Sequence, residues 1–170
     1  MLSCFAEGTA PARSVLAVPA SGYGDWLASA PAPARAWLEA TGFKARAGAT
    51  ALLPGADGAL DGALLILSEP AEPWDVAGLV AVLPAGSWRL ADGPGQIPAG
   101  LAALGWALGC YRFERYRQPE GPRPKLALPE GTDVARALVV AEASWLARDL
   151  VNTPANDLGP EELAAAVQAV

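Results

Sequence analysis

Few side chains in this sequence are of types that do chemistry, and their spacing limits what they can do. The 170 residues contain no histidine. That removes Ser-His-Asp and Cys-His catalysis, histidine-bearing zinc sites and the usual near-neutral acid–base group together. Carboxylates, arginines, two lysines (Lys44 and Lys125), two cysteines and backbone groups remain. Cys4 and Cys110 lie far apart and form no CxxC or metal-type spacing. The expectation is two reduced, mostly buried thiols, with a disulfide or a reactive thiol as the alternatives.

Other groupings reduce to local structure. Gly22-Tyr23-Gly24-Asp25-Trp26-Leu27 follows a strand-like run, yet Leu27 stands where a GxGxxG phosphate loop needs its third glycine. Pro31 and Pro33 delay the helix that should follow, so the segment reads as a plain loop. There is no GxxxxGK[ST] and no GxSxG. Glu161 and Glu162 diverge in direction on a helix and suit its first turn. Asp57 and Asp61 flank a turn and read as solvated turn residues.

Arg112, Arg115, Arg117, Arg123 and Lys125, interleaved with Tyr111, Phe113 and Tyr116, have the residue types of a single-strand nucleic-acid surface. Glu114, Glu120 and a net charge of −6 with pI near 4.6 oppose it, since such partners need a positive field. A helix end with cations near its C-terminal dipole is the plainer reading. The tryptophans at 26, 37, 74, 88, 106 and 145 are spread over separate elements, as core and interface bulk rather than a cofactor cage. No catalytic, cofactor-binding or metal-ligating residue is assigned.

The elements that would hold these residues alternate. Strand-like runs are 14–18, 49–53, 63–67, 87–90 and 125–128, and helical patterns cover 34–40, 75–83 and 99–111. Pro54-Gly55-Ala56-Asp57-Gly58 predicts a hairpin, so the sheet should be mixed. From Thr132, Val134, Leu138, Ala141 and Trp145 share one helical face, and Pro154 ends that helix. Pro160 opens another, inside which the sequence stops, as expected of a truncated chain. The longest uncharged stretch, 93–111, holds Pro94 and Pro98 and falls short of the roughly 20 apolar residues of a membrane span. No signal peptide is visible at the start, which makes the cytoplasm the expected location.

Two segments carry a resemblance. Arg148-Asp149-Leu150-Val151-Asn152-Thr153-Pro154-Ala155-Asn156 resembles the R-D-L-x-N-x-P-x-N stretch of the leucyl (cytosol) aminopeptidase family, at the junction of linker helix and catalytic domain. Gly105-Trp106-Ala107-Leu108-Gly109-Cys110-Tyr111-Arg112-Phe113-Glu114-Arg115-Tyr116 is similar to that family's helix-ending Y-R-F-D-x-Y segment. Gly42-Phe43-Lys44-Ala45-Arg46-Ala47-Gly48 is a fainter echo of its F-x-G-K-x-G region.

The resemblance implies a two-domain enzyme that removes N-terminal residues from peptides with two divalent metals (Mn or Zn), as a cytoplasmic hexamer. Two metals can activate a bridging water and polarise the peptide carbonyl. In that family the metal ligands and the catalytic Lys and Arg belong to the C-terminal domain, whose N-T-D-A-E-G-R is absent here: Asn152-Thr153 continues into Pro154. No family catalytic residue carries over.

The expected fold is α/β, a mixed sheet flanked by helices (macro-domain-like), followed by a linker helix. Residues 1–130 would form an accessory domain, 131–152 the linker helix and 153–170 the start of the catalytic domain. The implied role is assembly or active-site access. The expected partners are the chain's own catalytic domain and other subunits, with peptide reached only through the missing domain and no membrane. The alternatives are a stand-alone macro-like module for a nucleotide or ADP-ribose, or a regulatory nucleic-acid-binding domain.

Overall fold

The computed structural model describes residues 4–6, 11–117 and 121–169. Six strands, β1 (Phe5–Ala6), β2 (Arg13–Pro19), β3 (Thr50–Pro54), β4 (Leu60–Leu67), β5 (Gly86–Ala91) and β6 (Pro124–Ala127), form one sheet in the order β1-β6-β5-β2-β4-β3. β3 pairs antiparallel with β4 through the expected hairpin, and the other pairings are parallel. The mixed sheet flanked by helices is therefore present.

Alternation along the central strands builds two cores. Ala63, Leu65 and Leu67 of β4 face one side with Val15 and Ala17 of β2, while Leu64 and Ile66 face the other with Val18. Successive side chains on a strand point to opposite faces. A run apolar at every position therefore marks a strand covered on both sides. On the second side lie α1 (Tyr23–Ser29) and α2 (Ala32–Ala40), which contribute Tyr23, Trp26, Leu27 and Leu38. The first side is covered by α3 (Pro73–Ala77), α4 (Leu79–Val82), α5 (Ala99–Gly109) and α6 (Ala135–Asn152). The last helix, α7 (Pro160–Gln168), follows α6 after a turn.

Residues 22–27, expected as a loop, begin α1 instead. Gly22 is its N-cap, Asp25 sits in its first turn, and the Tyr23 ring packs 5.9 Å from both Trp26 and Phe43. Pro31 does not forbid this helix. It holds Ala30 extended (ψ 151°), as the residue before a proline prefers, and then caps α2. The single helix expected over 75–83 is two pieces, broken at Gly78. Strand β1 was not anticipated, because two residues carry no periodic signal.

Helix α5 is closely packed. Ala102, Ala103, Gly105, Trp106, Ala107 and Leu108 are all buried. A Cβ added at Gly105 would lie 2.1 Å from the Pro73 carbonyl oxygen, and one at Gly109 would lie 2.3 Å from that of Ala77. Glycine at both positions lets α3 press its backbone against α5.

Candidate functional site

The two segments that carry the family resemblance meet in space. α5 stops at Gly109 with Cys110 as its C-cap, and the Ala107 and Leu108 carbonyls of its last turn accept only the tighter end-of-helix bonds from Cys110 N (3.2 Å) and Tyr111 N (3.4 Å), with lone pairs left for side chains. Side chains of α6 supply partners: Trp145 Nε1 donates to the Ala107 oxygen (3.1 Å) and Arg148 Nη1 to the Leu108 oxygen (3.1 Å). A cation at a helix C-terminus also meets the negative end of its dipole. Ala137 and Ala141 are buried beside α5, so the inward face is turned slightly from the one expected, and Val134 and Leu138 are only half-buried.

Beyond α5, Tyr111 continues the clasp. Its hydroxyl donates to Asp149 Oδ1 (2.9 Å) and accepts from Asn152 Nδ2 (2.9 Å), while Arg148 lies 5.2 Å over its ring. Trp145 meets the same ring edge-on at 6.1 Å. Further along, Tyr116 donates to the Asp157 carboxylate. Thr153 closes α6, its hydroxyl donating to the Asp149 carbonyl (2.7 Å). Desolvation first, and then the hydrogen bond to Asp149 and its charge, push the Tyr111 hydroxyl above its ordinary value. Tyr116 is raised chiefly by its hydrogen bond to Asp157.

The basic stretch is largely absorbed by such contacts. Residues 111–117 form turns rather than a helix end, and it is Arg148, from α6, that bonds the Leu108 carbonyl of α5. Arg123 pairs with Glu114 and reaches the Cys110 carbonyl (3.4 Å). Phe113 packs edge-on to Tyr116 at 5.7 Å, and Arg115 lies 5.9 Å over the Tyr116 ring. The rings that would stack bases are engaged internally.

The acidic candidates are structural where their bonds are visible. Glu162 accepts from the Gly159 amide (2.9 Å) at the start of α7, and Asp57 from the Ala59 amide (3.0 Å) within its turn. A carboxylate not singled out from the sequence, Asp75, is 4% exposed. It accepts from Ser68 N, Ser68 Oγ and Glu72 N at 2.7–3.0 Å, tying the end of β4 to α3. Among the described residues no group of three or more Cys, Asp or Glu could hold a metal ion. No helix among them is long and apolar enough to cross a membrane.

Two clefts stand out among the described residues. One, of about 530 Å³, opens at the carboxyl ends of β5 and β6 under residues 92–98, with Arg89, Asp92 and Gln96 as its polar side chains. Open α/β sheets place ligands at such strand ends. The other, of about 450 Å³, is lined by Cys4, Cys110, Arg112, Arg123, Lys125 and Trp145, among others. Cys4 and Cys110 are buried and free, as expected, and are neighbours at this cleft. Sequence distance gave no sign of that proximity.

Residues 16–129 match the family described as M17 aminopeptidase, N-terminal domain. A probable cytosol aminopeptidase of Leifsonia xyli is 34% identical over 151 residues, which is 78% of this chain and 30% of the relative. One of Rhizobium meliloti is 40% identical over 92 residues, 44% of this chain and 18% of the relative. Among solved structures, the cytosol aminopeptidase of Coxiella burnetii superposes with a TM-score of 0.81 at 34% identity. That superposition covers 98% of this chain and 37% of the other. The bottromycin maturation enzyme BotP, solved in complex with Mn, gives 0.65 at 32% identity, covering 94% of this chain and 36% of BotP. The chain thus spans less than two fifths of the length of each of these proteins. Its sheet, its helices and its family match agree, and the chain belongs to the M17 aminopeptidase family, in the N-terminal domain.

Proposed function

We propose that this chain is the non-catalytic N-terminal part of a cytoplasmic two-metal aminopeptidase that removes N-terminal amino acids from peptides. Its role there is to support assembly of subunits and access to the active site. The boundaries that go with this reading are an accessory domain over 1–130, a linker helix over 131–152 and the start of the catalytic domain from 153. The observation that carries it is the clasp between 105–116 and 148–160, which fixes the direction in which the chain leaves the α/β body. Val151 within it and Leu163 and Val167 beyond it are 85%, 45% and 67% exposed, apolar side chains suited to burial against a following domain or a neighbouring subunit.

The test has two arms. The chain alone, given leucine p-nitroanilide with Mn²⁺ or Zn²⁺, is expected to show no turnover; metal-dependent hydrolysis by pure chain overturns the non-catalytic reading. Substituted for the N-terminal region of the Coxiella enzyme, it should preserve that protein's assembly and peptidase activity. Loss of both from a folded chimera removes the assembly role.

The cleft at the strand ends keeps a second reading open, a macro-like module for a nucleotide or ADP-ribose. Calorimetric titration of the chain with ADP-ribose decides it, and a flat trace removes it. A nucleic-acid role is disfavoured by the acidic net charge and the engaged aromatics; salt-sensitive retention on DNA would be needed to revive it.

A further inference from the structure

We propose that Cys4 and Cys110 form a peroxide-responsive dithiol site, in which oxidation joins the edge strand β1 to the C-terminal end of α5 by a reversible disulfide. The inference does not depend on the aminopeptidase reading. It rests on the placement of two thiols that the sequence separates by most of the α/β body.

Both backbones are held in position. The Cys4 carbonyl accepts from Leu126 N (3.0 Å) and from Trp106 Nε1 (3.0 Å). Cys110, as C-cap of α5, donates its amide to the Trp106 carbonyl (3.0 Å) and receives Arg123 at its own carbonyl. The two side chains line one cleft and belong to one apolar cluster, with Trp106 bonded to both backbones, so the disulfide would join neighbouring groups. Both thiols also line the 450 Å³ cleft, where Arg112 and Lys125 add positive charge beside the Arg123–Glu114 ion pair and leave room for a small oxidant. Such electropositive, partly open surroundings distinguish reactive cysteines from inert ones.

The two sulfurs differ in character. The hydrogen bond from Cys110 is the main cause of a lowered Cys4 thiol, and Lys125 adds to it. That same bond and burial raise Cys110. In the proposed sequence Cys4, beside Lys125 in the cleft, is the attacking thiolate and Cys110 the resolving thiol.

With hydrogen peroxide as oxidant, Cys4 Sγ attacks one oxygen. An S–O bond forms, the O–O bond breaks, and the departing hydroxide takes a proton to become water, leaving Cys4 as its sulfenic acid. Cys110 Sγ gives up its proton and attacks Cys4 Sγ. The S–S bond forms, the S–O bond breaks, and the second oxygen leaves as water. Two electrons pass from the thiols to one peroxide, and a small dithiol returns them.

The product would pin β1, whose described residues pair with the sheet at Phe5↔Leu126 and Ala6↔Ala127. To test this, reduced chain is treated with hydrogen peroxide and followed by intact-mass spectrometry, non-reducing peptide mapping and thermal unfolding. The expected result is joint loss of both thiols, a mass lower by two hydrogens, a Cys4–Cys110 cross-linked peptide and a higher unfolding midpoint, all reversed by dithiothreitol.

Thiols that react only in urea would overturn the proposal, as would oxygen added to one cysteine while the other stays reduced. Disulfides formed only between chains would do the same. In Cys110→Ser, dimedone should trap a sulfenic acid at Cys4, whereas Cys110 in Cys4→Ser should remain a thiol. Equal peroxide reactivity of the two single variants would show that the pair has no division of roles.

Discussion

At the residue scale, the carboxylate with the largest structural consequence is one that no motif announces. Asp75 is buried and accepts three hydrogen bonds, two of them from backbone amides. Replacing it with alanine leaves Ser68 N and Glu72 N without acceptors in a place water reaches poorly. The expected cost is about 2–4 kcal/mol by urea unfolding, since each stranded buried donor costs roughly 1–3 kcal/mol. Tyr111→Phe removes only the hydroxyl that Asp149 and Asn152 share at a half-exposed site. A loss near 1 kcal/mol is expected there. Its sharper readout is Trp145 fluorescence, because the two rings are in contact. An unchanged emission spectrum in Tyr111→Phe would show that the hydroxyl does not set the ring's position.

At the scale of elements, α5 is positioned by what its glycines lack. Gly105→Ala drives a methyl into the Pro73 carbonyl, and overpacking of this kind costs about 1–3 kcal/mol. Gly100→Ala, in the same helix, meets nothing within 4 Å and should stabilise by up to about 1 kcal/mol through helix propensity. Thermal melts of the two variants should therefore move in opposite directions. If both rise, α3 is able to withdraw from α5 and the close approach does not hold the pair. This contrast was invisible in the sequence, where both glycines sit in one uncharged run. Helix α1 was missed for a related reason: Gly22, Gly24 and the prolines after it read locally as breakers. Its stability comes from Tyr23, Trp26 and Leu27 packing on Phe43 and the sheet, contacts that no local window contains.

At the scale of the molecule, the clasp joins the α/β body to α6 and the turn before α7, and its tyrosines make it sensitive to alkali. Tyr111 and Tyr116 both hold their protons more tightly folded than an unfolded tyrosine does. Their contribution is therefore complete below the ordinary tyrosine value near 10 and is lost as pH rises through the raised folded values. Unfolding midpoints measured from pH 8 to 11 should fall above about pH 10. The double variant Tyr111→Phe, Tyr116→Phe should flatten that fall. A slope unchanged in the double variant would assign the alkaline loss to other groups.

Much of the architecture could be read directly from the sequence, for local reasons. Apolar runs bounded by Pro and Gly located β2 to β6, and the Pro54–Gly58 turn chemistry required an antiparallel partner, hence a mixed sheet. The family followed from two short motifs, because their residue types and order are unusual together. Neither pattern could show that the motifs bond one another, that α6 caps α5, or that Cys4 lies against Cys110. Strand order and helix packing bring those pairs together across 38 to 106 residues, and no local propensity reaches that far. Periodicity and turn chemistry act over a few neighbours, so the sequence determined the elements and the family. Contact between distant side chains depends on how the sheet and helices close on each other, and only the tertiary structure decided the clasp, the clefts and the thiol pair.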